Sequence, residues 1–270
     1  MANTIKFDSI ENARELGGII CCGKRIRHNR MFRSANLSMA SENDLKRLRD
    51  EFGVKTVFDL RSEFEYSVNP DKIIEGIDLV YNPVLENTSR SDGKGRESWF
   101  HPGEGLTRVQ KLIRVASRDG MSTMQERIYD RFVDSDYSRI HYGEFFKNVL
   151  NLGGTPFLWH CTFGKDRGGF ASVYLLAALG ANDECILDDF AESGNFYRED
   201  CLSVLSEAKK EGVGDDVLNN LEFLVGLKRE YMERSIENIN ARFGSVLEYV
   251  RIALKVNDES IEKLREYYLE

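Results

Sequence analysis

Phe157-Leu-Trp-His-Cys161-Thr-Phe-Gly-Lys-Asp-Arg167-Gly-Gly-Phe-Ala-Ser-Val-Tyr-Leu-Leu-Ala-Ala-Leu179 is the stretch whose reading decides the fold. Its first residues form a short apolar run, the pattern of a buried strand. Its last residues are apolar on nearly every side, the pattern of a buried helix. Between them Cys161 and Arg167 bracket five residues that include Gly164. A strand–loop–helix aims backbone N–H groups and the positive end of a helix dipole at one point, which suits a phosphate-sized anion. A cysteine held there ionises readily, because the amides and Arg167 stabilise the thiolate. Nucleophile, anion cradle and guanidinium together describe removal of a phosphoryl group through a phosphocysteine intermediate.

Spacing alone is weak. A second Cys-x5-Arg runs from Cys21 to Arg27 with no helix pattern behind it, and reads as a surface hairpin. Context sets Cys161 apart: a strand before it, Gly164 inside, an apolar helix after and His160 adjacent. A nucleotide-binding loop of the form Gly-x4-Gly-Lys-Ser/Thr is excluded, since Trp159 stands at the first glycine and Asp166 follows Lys165.

Outward from this block, 270 residues with 41% hydrophobic side chains suffice for one large core. The expected arrangement is a single domain over 1–270. A net charge of −8 argues against general nucleic-acid binding and requires positive charge to be concentrated locally for an anionic substrate. Five cysteines without metal-like pairing suggest reduced thiols and a cytoplasmic setting. No signal-peptide pattern or membrane-length apolar run is present, and oligomeric state is not legible.

Along the chain, Met31–Ala35, Val54–Asp59 and Ile77–Val84 read as strands, the second delivering Asp59 and Arg61 past its carboxyl end, where α/β sheets bind ligands. Ser41-Glu-Asn-Asp44 opens a helix that Gly53 closes. Glu86 to Gly105 is polar and aperiodic, a surface loop or a substrate-contacting one. Helical patterns cover 106–117, 121–134 and 138–151, the last capped by Ser138, and continue from the Cys161 loop to the end. Segments 197–211 and 215–227 form a charged pair, either bracing helices or a lid. The expected fold class is α/β, a small, mostly parallel sheet flanked by helices with a helical C-terminal part.

His160-Cys-Thr-Phe-Gly-Lys-Asp-Arg-Gly-Gly169 resembles the His-Cys-x-x-Gly-Lys-Asp-Arg-Thr-Gly loop of bacterial tyrosine phosphatases, among them secreted Mycobacterium and Listeria enzymes acting on phosphoproteins and phosphoinositides. Asn12-Ala-Arg-Glu-Leu-Gly-Gly18, Phe58-Asp-Leu-Arg-Ser62 and the closing Gly244–Tyr249 and Ile261–Arg265 are similar to the same family. The resemblance implies a phosphatase fold, favours the lid, and makes Asp166 the general acid, with Asp59 as the other candidate. It also brings in Asn12, Arg14 and Arg33 as scaffold or secondary phosphate contacts.

Each residue keeps a plainer alternative. Cys161 is a nucleophile or an inert thiol, and Arg167 a phosphate fork or a surface ion pair. Lys165 is a point charge for multiply phosphorylated groups or a solvated lysine, while His160 orients the loop or transfers protons. The backbone of Thr162, Phe163, Gly164, Lys165 and Gly168 forms the phosphate cradle. Two departures from the family stand out. Gly168 replaces a threonine whose hydroxyl can donate to the thiolate, with Ser172 or water as substitute donors, and Phe163 replaces a small residue. No metal or other cofactor is expected. The expected substrate is a phosphorylated protein, with a phosphoinositide phosphatase, a slow phosphate-binding pseudophosphatase and a thiol-redox enzyme using Cys185 or Cys201 as alternatives.

Overall fold

The computed structural model describes residues 2–72, 75–86 and 105–270. Its centre is a sheet built from β1 (Asn3–Thr4), β2 (Arg14–Glu15), β5 (Met31–Ser34), β8 (Phe157–His160), β6 (Thr56–Asp59) and β7 (Asp78–Tyr81), in that spatial order. The four strands β5, β8, β6 and β7 run parallel, and β1 and β2 complete one edge antiparallel. β3 (Ile20–Cys21) and β4 (Lys24–Arg25) form a separate hairpin, so the second Cys-x5-Arg does span a hairpin, with Cys22 exposed at its turn.

Register places the site. His160 lies level with Ser34 on one side and Asp59 on the other, so three strands end at one edge and release Ala35, Leu60 and Cys161 together. Alternation along β8 serves both faces. Phe157 and Trp159 join a large core with Phe58 and Met31, while Leu158 joins a smaller one with Phe32, Val57 and Leu48.

Helices cover both faces. α1 (Glu42–Lys46) starts from a full capping box between Ser41 and Asp44 and continues as a wider π-type turn to Glu51. α2 (Glu63–Val68) follows β6 and has a second box between Ser62 and Glu65. Then come α3 (Arg108–Ala116), a 3-10 turn at Met121–Thr123, α4 (Met124–Asp134) and α5 (Asp136–Asn151). Ser138 is not the cap of α5. Its hydroxyl donates to the Val84 carbonyl at 2.8 Å from within the helix, tying α5 to the end of the sheet. The aperiodic stretch expected from Glu86 to Gly105 lies, apart from its ends, outside the described residues.

α6 (Asp166–Leu179) is buried from Gly168 onward, as its unbroken apolar run requires. α7 (Asp183–Lys210) is one 28-residue helix capped by Asn182, so the segment 197–211 is its distal half rather than a separate element. α8 (Asp215–Val225), α9 (Arg229–Phe243), α10 (Val246–Ile252) and α11 (Asp258–Tyr268) complete the chain. α3, the distal half of α7 and α8 share their own apolar cluster, including Val109, Val204, Leu221 and Val225, separate from the two cores at the sheet. Among the described residues no helix is long and apolar enough to cross a membrane.

Candidate active site

The loop from Cys161 to Arg167 is shaped by what takes its carbonyl groups. Asn36 donates to the Thr162 carbonyl at 2.8 Å, and Asn12 and Tyr197 both donate to that of Phe163 at 2.9 Å. Arg33 Nη2 takes the Gly164 and Lys165 carbonyls at 2.7 and 3.2 Å. Tyr142 and Trp159 hold those of Arg167 and Gly168 at 3.1 and 3.0 Å. With the carbonyls drawn outward, the amides of Phe163 to Arg167 are left without a hydrogen-bond partner among the described residues. That is the geometry of an anion nest at the start of α6. Gly164 is required for the bend: its φ is +65°, and a Cβ there would stand 2.4 Å from the Ser34 carbonyl oxygen.

Cys161 sits at the end of β8, 2% exposed. Arg167 does not point into solvent. Its Nη1 and Nη2 each donate to one oxygen of Glu65 at 2.6 Å, a bidentate pair with both side chains largely buried. Burial opposes charge on each, yet their attraction dominates, holding Glu65 below and Arg167 above their usual ranges. Thr162 Oγ1 donates to the same carboxylate, and Ser62 holds it through the capping box. Glu65 uses one hydrogen from each Nη and leaves Nε of Arg167 for another acceptor.

Asp166, at the first position of α6, accepts a 2.6 Å hydrogen bond from the Tyr129 hydroxyl of α4, which fixes its orientation. Lys165 is neither solvated nor presented outward. It is buried, and its ammonium donates to the carbonyls of Gly226 at 2.8 Å and Leu224 at 3.2 Å, at the carboxyl end of α8.

Two buried charge clusters support the loop. In the first, Asp189 of α7 pairs with Arg14 at 2.8 Å and Arg33 at 2.6 Å. Burial disfavours its carboxylate, but the two guanidinium groups bring its pKa down to about 2. Arg33 is lowered to about 10, by burial and then by Arg14. Arg14 also bonds Asn12 and Ser193, so Asn12, Arg14 and Arg33 are all buried and joined to other side chains.

In the second, Asp59 is clasped by Arg61 at 2.7 Å, Arg61 reaches Asp71 at 3.1 Å, and His160 Nε2 lies 2.9 Å from Asp71. Burial opposes charge on His160, yet Asp59 and Asp71 outweigh it and raise its pKa. Asp59, Asp71 and His160 are the one group of metal-ligand type among the described residues. Arg61 already occupies both carboxylates, so a cation would have to displace it. Asp59 is thereby engaged by Arg61, with His160 Nδ1 3.8 Å away.

At Gly168 an added Cβ would meet nothing closer than 3.8 Å, so the first side-chain carbon is accommodated. Ser172 is not a spare donor to the sulfur: its hydroxyl donates to the Gly168 carbonyl at 3.1 Å and accepts from Arg33. All five cysteines are unpaired, and burial raises Cys201, the wrong direction for a resolving thiol.

The tyrosine phosphatase family profile matches residues 5–270. The chain belongs to the tyrosine phosphatase family. It is a phosphoric monoester hydrolase by that membership, and its parallel sheet with a helical C-terminal part is the fold expected from the sequence. A Cupriavidus necator protein named as a candidate tyrosine-protein phosphatase is 32% identical over 268 residues, 98% of this chain and 88% of its own. The triple specificity protein phosphatase PtpB of Mycobacterium tuberculosis is 24% identical over 262 residues, 89% of this chain and 91% of its own.

Sequence reasoning missed Glu65, Asp71, Tyr129, Asn36, Tyr142, Tyr197 and Asp189. Only Glu65 left a local sign, the Ser62-x-x-Glu65 capping box one turn past the Asp59-Leu-Arg61 strand end.

Proposed function

We propose that the protein hydrolyses phosphomonoesters of phosphotyrosine type through a phosphocysteine intermediate. The observation that carries this is the loop beside Cys161, where surrounding side chains hold the carbonyls of Thr162 to Lys165 and the amides of Phe163 to Arg167 have no partner among the described residues. In the first step the Cys161 sulfur attacks phosphorus, the bond to the leaving oxygen breaks, and Asp166 gives that oxygen its proton. The loop amides and Arg167 hold the three equatorial oxygens as charge builds on them. In the second step Asp166 takes a proton from water, the water oxygen attacks phosphorus, and the sulfur departs as thiolate. Each role falls to a side chain of the loop, and no step calls on a metal.

The test is hydrolysis of p-nitrophenyl phosphate in the presence of a chelator. Cys161→Ser should be inactive, and Arg167→Ala should lose at least about a hundredfold, near 2.7 kcal/mol of transition-state stabilisation. Asp166→Asn should slow substrates with poorer leaving groups more than this one. Wild-type rates in Cys161→Ser would sink the assignment.

A second reading, a phosphate-binding protein of slow turnover, is favoured by Gly168, since the hydroxyl one turn on, Ser172, is spent on the Gly168 carbonyl and Arg33. We also infer that the distal half of α7 and α8, residues 197–227, form a lid within the single domain 1–270, with α3 packed against them. The reading is supported by their separate apolar cluster and by the Lys165 tether to the end of α8.

A further inference from the structure

Phe163 projects from the catalytic loop with 49% of its surface exposed, and Phe196 on α7 is 45% exposed. Tyr197 bridges them, edge-on to Phe163 at 6.2 Å and to Phe196 at 4.9 Å, while its hydroxyl is fixed on the Phe163 carbonyl. The result is an apolar strip that begins on the phosphate loop and continues along one helix. Large exposed aromatic rings beside a catalytic loop are contact area for whatever carries the phosphate.

Lys165 lies over the Phe163 and Tyr197 rings and Arg108 reaches the edge of the strip, but the charges nearest Phe196 on its own helix face are acidic. On the helix, Glu192, Glu199, Asp200 and Glu207 lie four, three, four and eleven positions from Phe196, within about 60° of it at 100° per residue. From the N-terminal segment, Glu11 joins burial in raising the Tyr197 pKa. Asp200 is paired with Arg108 of α3, but no ion pair engages Glu11, Glu192, Glu199 or Glu207 among the described residues. Arg198 is exposed on the opposite flank of α7, about 200° from Phe196. Lys165 is turned inward to the carbonyls of α8. An acidic border on a chain of net charge −8 repels an anionic membrane and attracts cationic side chains.

We infer that this mouth selects phosphorylated protein segments carrying apolar and basic residues beside the phosphate. The apolar neighbours cover Phe163 and Phe196, and the basic ones face the carboxylates. The inference rests on the proposed phosphatase reading but is separable from it, because p-nitrophenyl phosphate carries no flanking residues to cover Phe196 or face the carboxylates.

The experiment compares kcat/KM for two phosphotyrosine peptides, one flanked by leucine and lysine and one by alanine and glutamate, each divided by that for p-nitrophenyl phosphate. The basic, apolar peptide should lead by about tenfold, mostly through KM, and the lead should shrink at ~1 M salt, where the screening length falls to about 3 Å. Phe196→Ala should lower the ratio for that peptide, and Glu192→Lys with Glu199→Lys should reverse the order of the two. Equal ratios, or a preference for the glutamate peptide, would overturn the inference. So would faster cleavage of a phosphoinositide in phosphatidylcholine–phosphatidylserine vesicles than of the basic peptide. Failure to cleave p-nitrophenyl phosphate at all would instead overturn the phosphatase reading.

Discussion

Arg167 is useful to a phosphate only if its fork waits in position, and the residue that sets the fork is Glu65. Glu65→Gln keeps the capping box, which glutamine also forms, but leaves the guanidinium without its countercharge. We expect kcat/KM to fall about ten- to hundredfold, roughly 1.4–2.8 kcal/mol. Ser62→Ala should instead cost about 0.5–2 kcal/mol of stability with a far smaller loss of activity. Wild-type kcat/KM in Glu65→Gln would show that the fork is positioned otherwise. Gly168 supplies the second prediction at this scale. The site accommodates a first side-chain carbon, and Ser172 is spent on the Gly168 carbonyl and Arg33. The wild type should therefore show a burst of phenol in rapid-quench kinetics, and Gly168→Thr should shorten the intermediate's lifetime. A hydrogen bond to a charged group is worth about 1.5–3 kcal/mol, so turnover should rise measurably. Absence of a burst, with no gain in Gly168→Thr, would leave the position without kinetic meaning.

At the scale of elements, β6, β8 and the segment carrying Asp71 meet in the cluster of Asp59, Arg61, Asp71 and His160. Because the His160 pKa is raised in the folded chain, its contribution to stability is fully present below the unfolded value near pH 6.5. That contribution disappears as pH rises through the higher folded value. The denaturation midpoint should fall across that window. The loss of stability is about 1.4 kcal/mol for every pH unit between the unfolded and folded values, and His160→Asn should flatten the slope. An unchanged slope in the variant would place the titration elsewhere. The same elements show what is legible in the sequence. β8, the loop and α6 can be read because their chemistry lies within one unbroken run. Sheet class and the Ser41 helix start are also visible, since strand periodicity and capping are local. Ser138 misleads because a serine near a helix start looks like a cap when its partner, the Val84 carbonyl, is 54 positions away. Only the distal half of α7 stands out in the sequence; Gly194, just before it in the same helix, fits a close approach of the Leu227 backbone, whose oxygen would stand 2.7 Å from an added Cβ. Among the loop's partners Asn36, Tyr142 and Tyr197, and likewise Asp189 behind Arg33, have nothing in their own neighbourhoods that marks them.

For the whole molecule, Lys165 connects the phosphate loop to the proposed lid. Lys165→Met removes both bonds to the end of α8 while keeping a long apolar side chain. Amide hydrogen exchange in α8 should then quicken by about tenfold or more relative to α6, as expected for losing about 1.5–3 kcal/mol of charged hydrogen bonding. Equal protection in both proteins would mean that α8 is held by packing and that the tether is incidental. The outward-drawn carbonyls have a consequence of a different kind. Their captors lie on the N-terminal segment, β5, the turn after it, α5, β8 and α7, so the curvature of the loop is stored in the rest of the chain. Copying His160 to Gly169 into another strand–helix junction would transfer the reactive groups but not the backbone that aims them. The block is an address in this fold rather than a portable part.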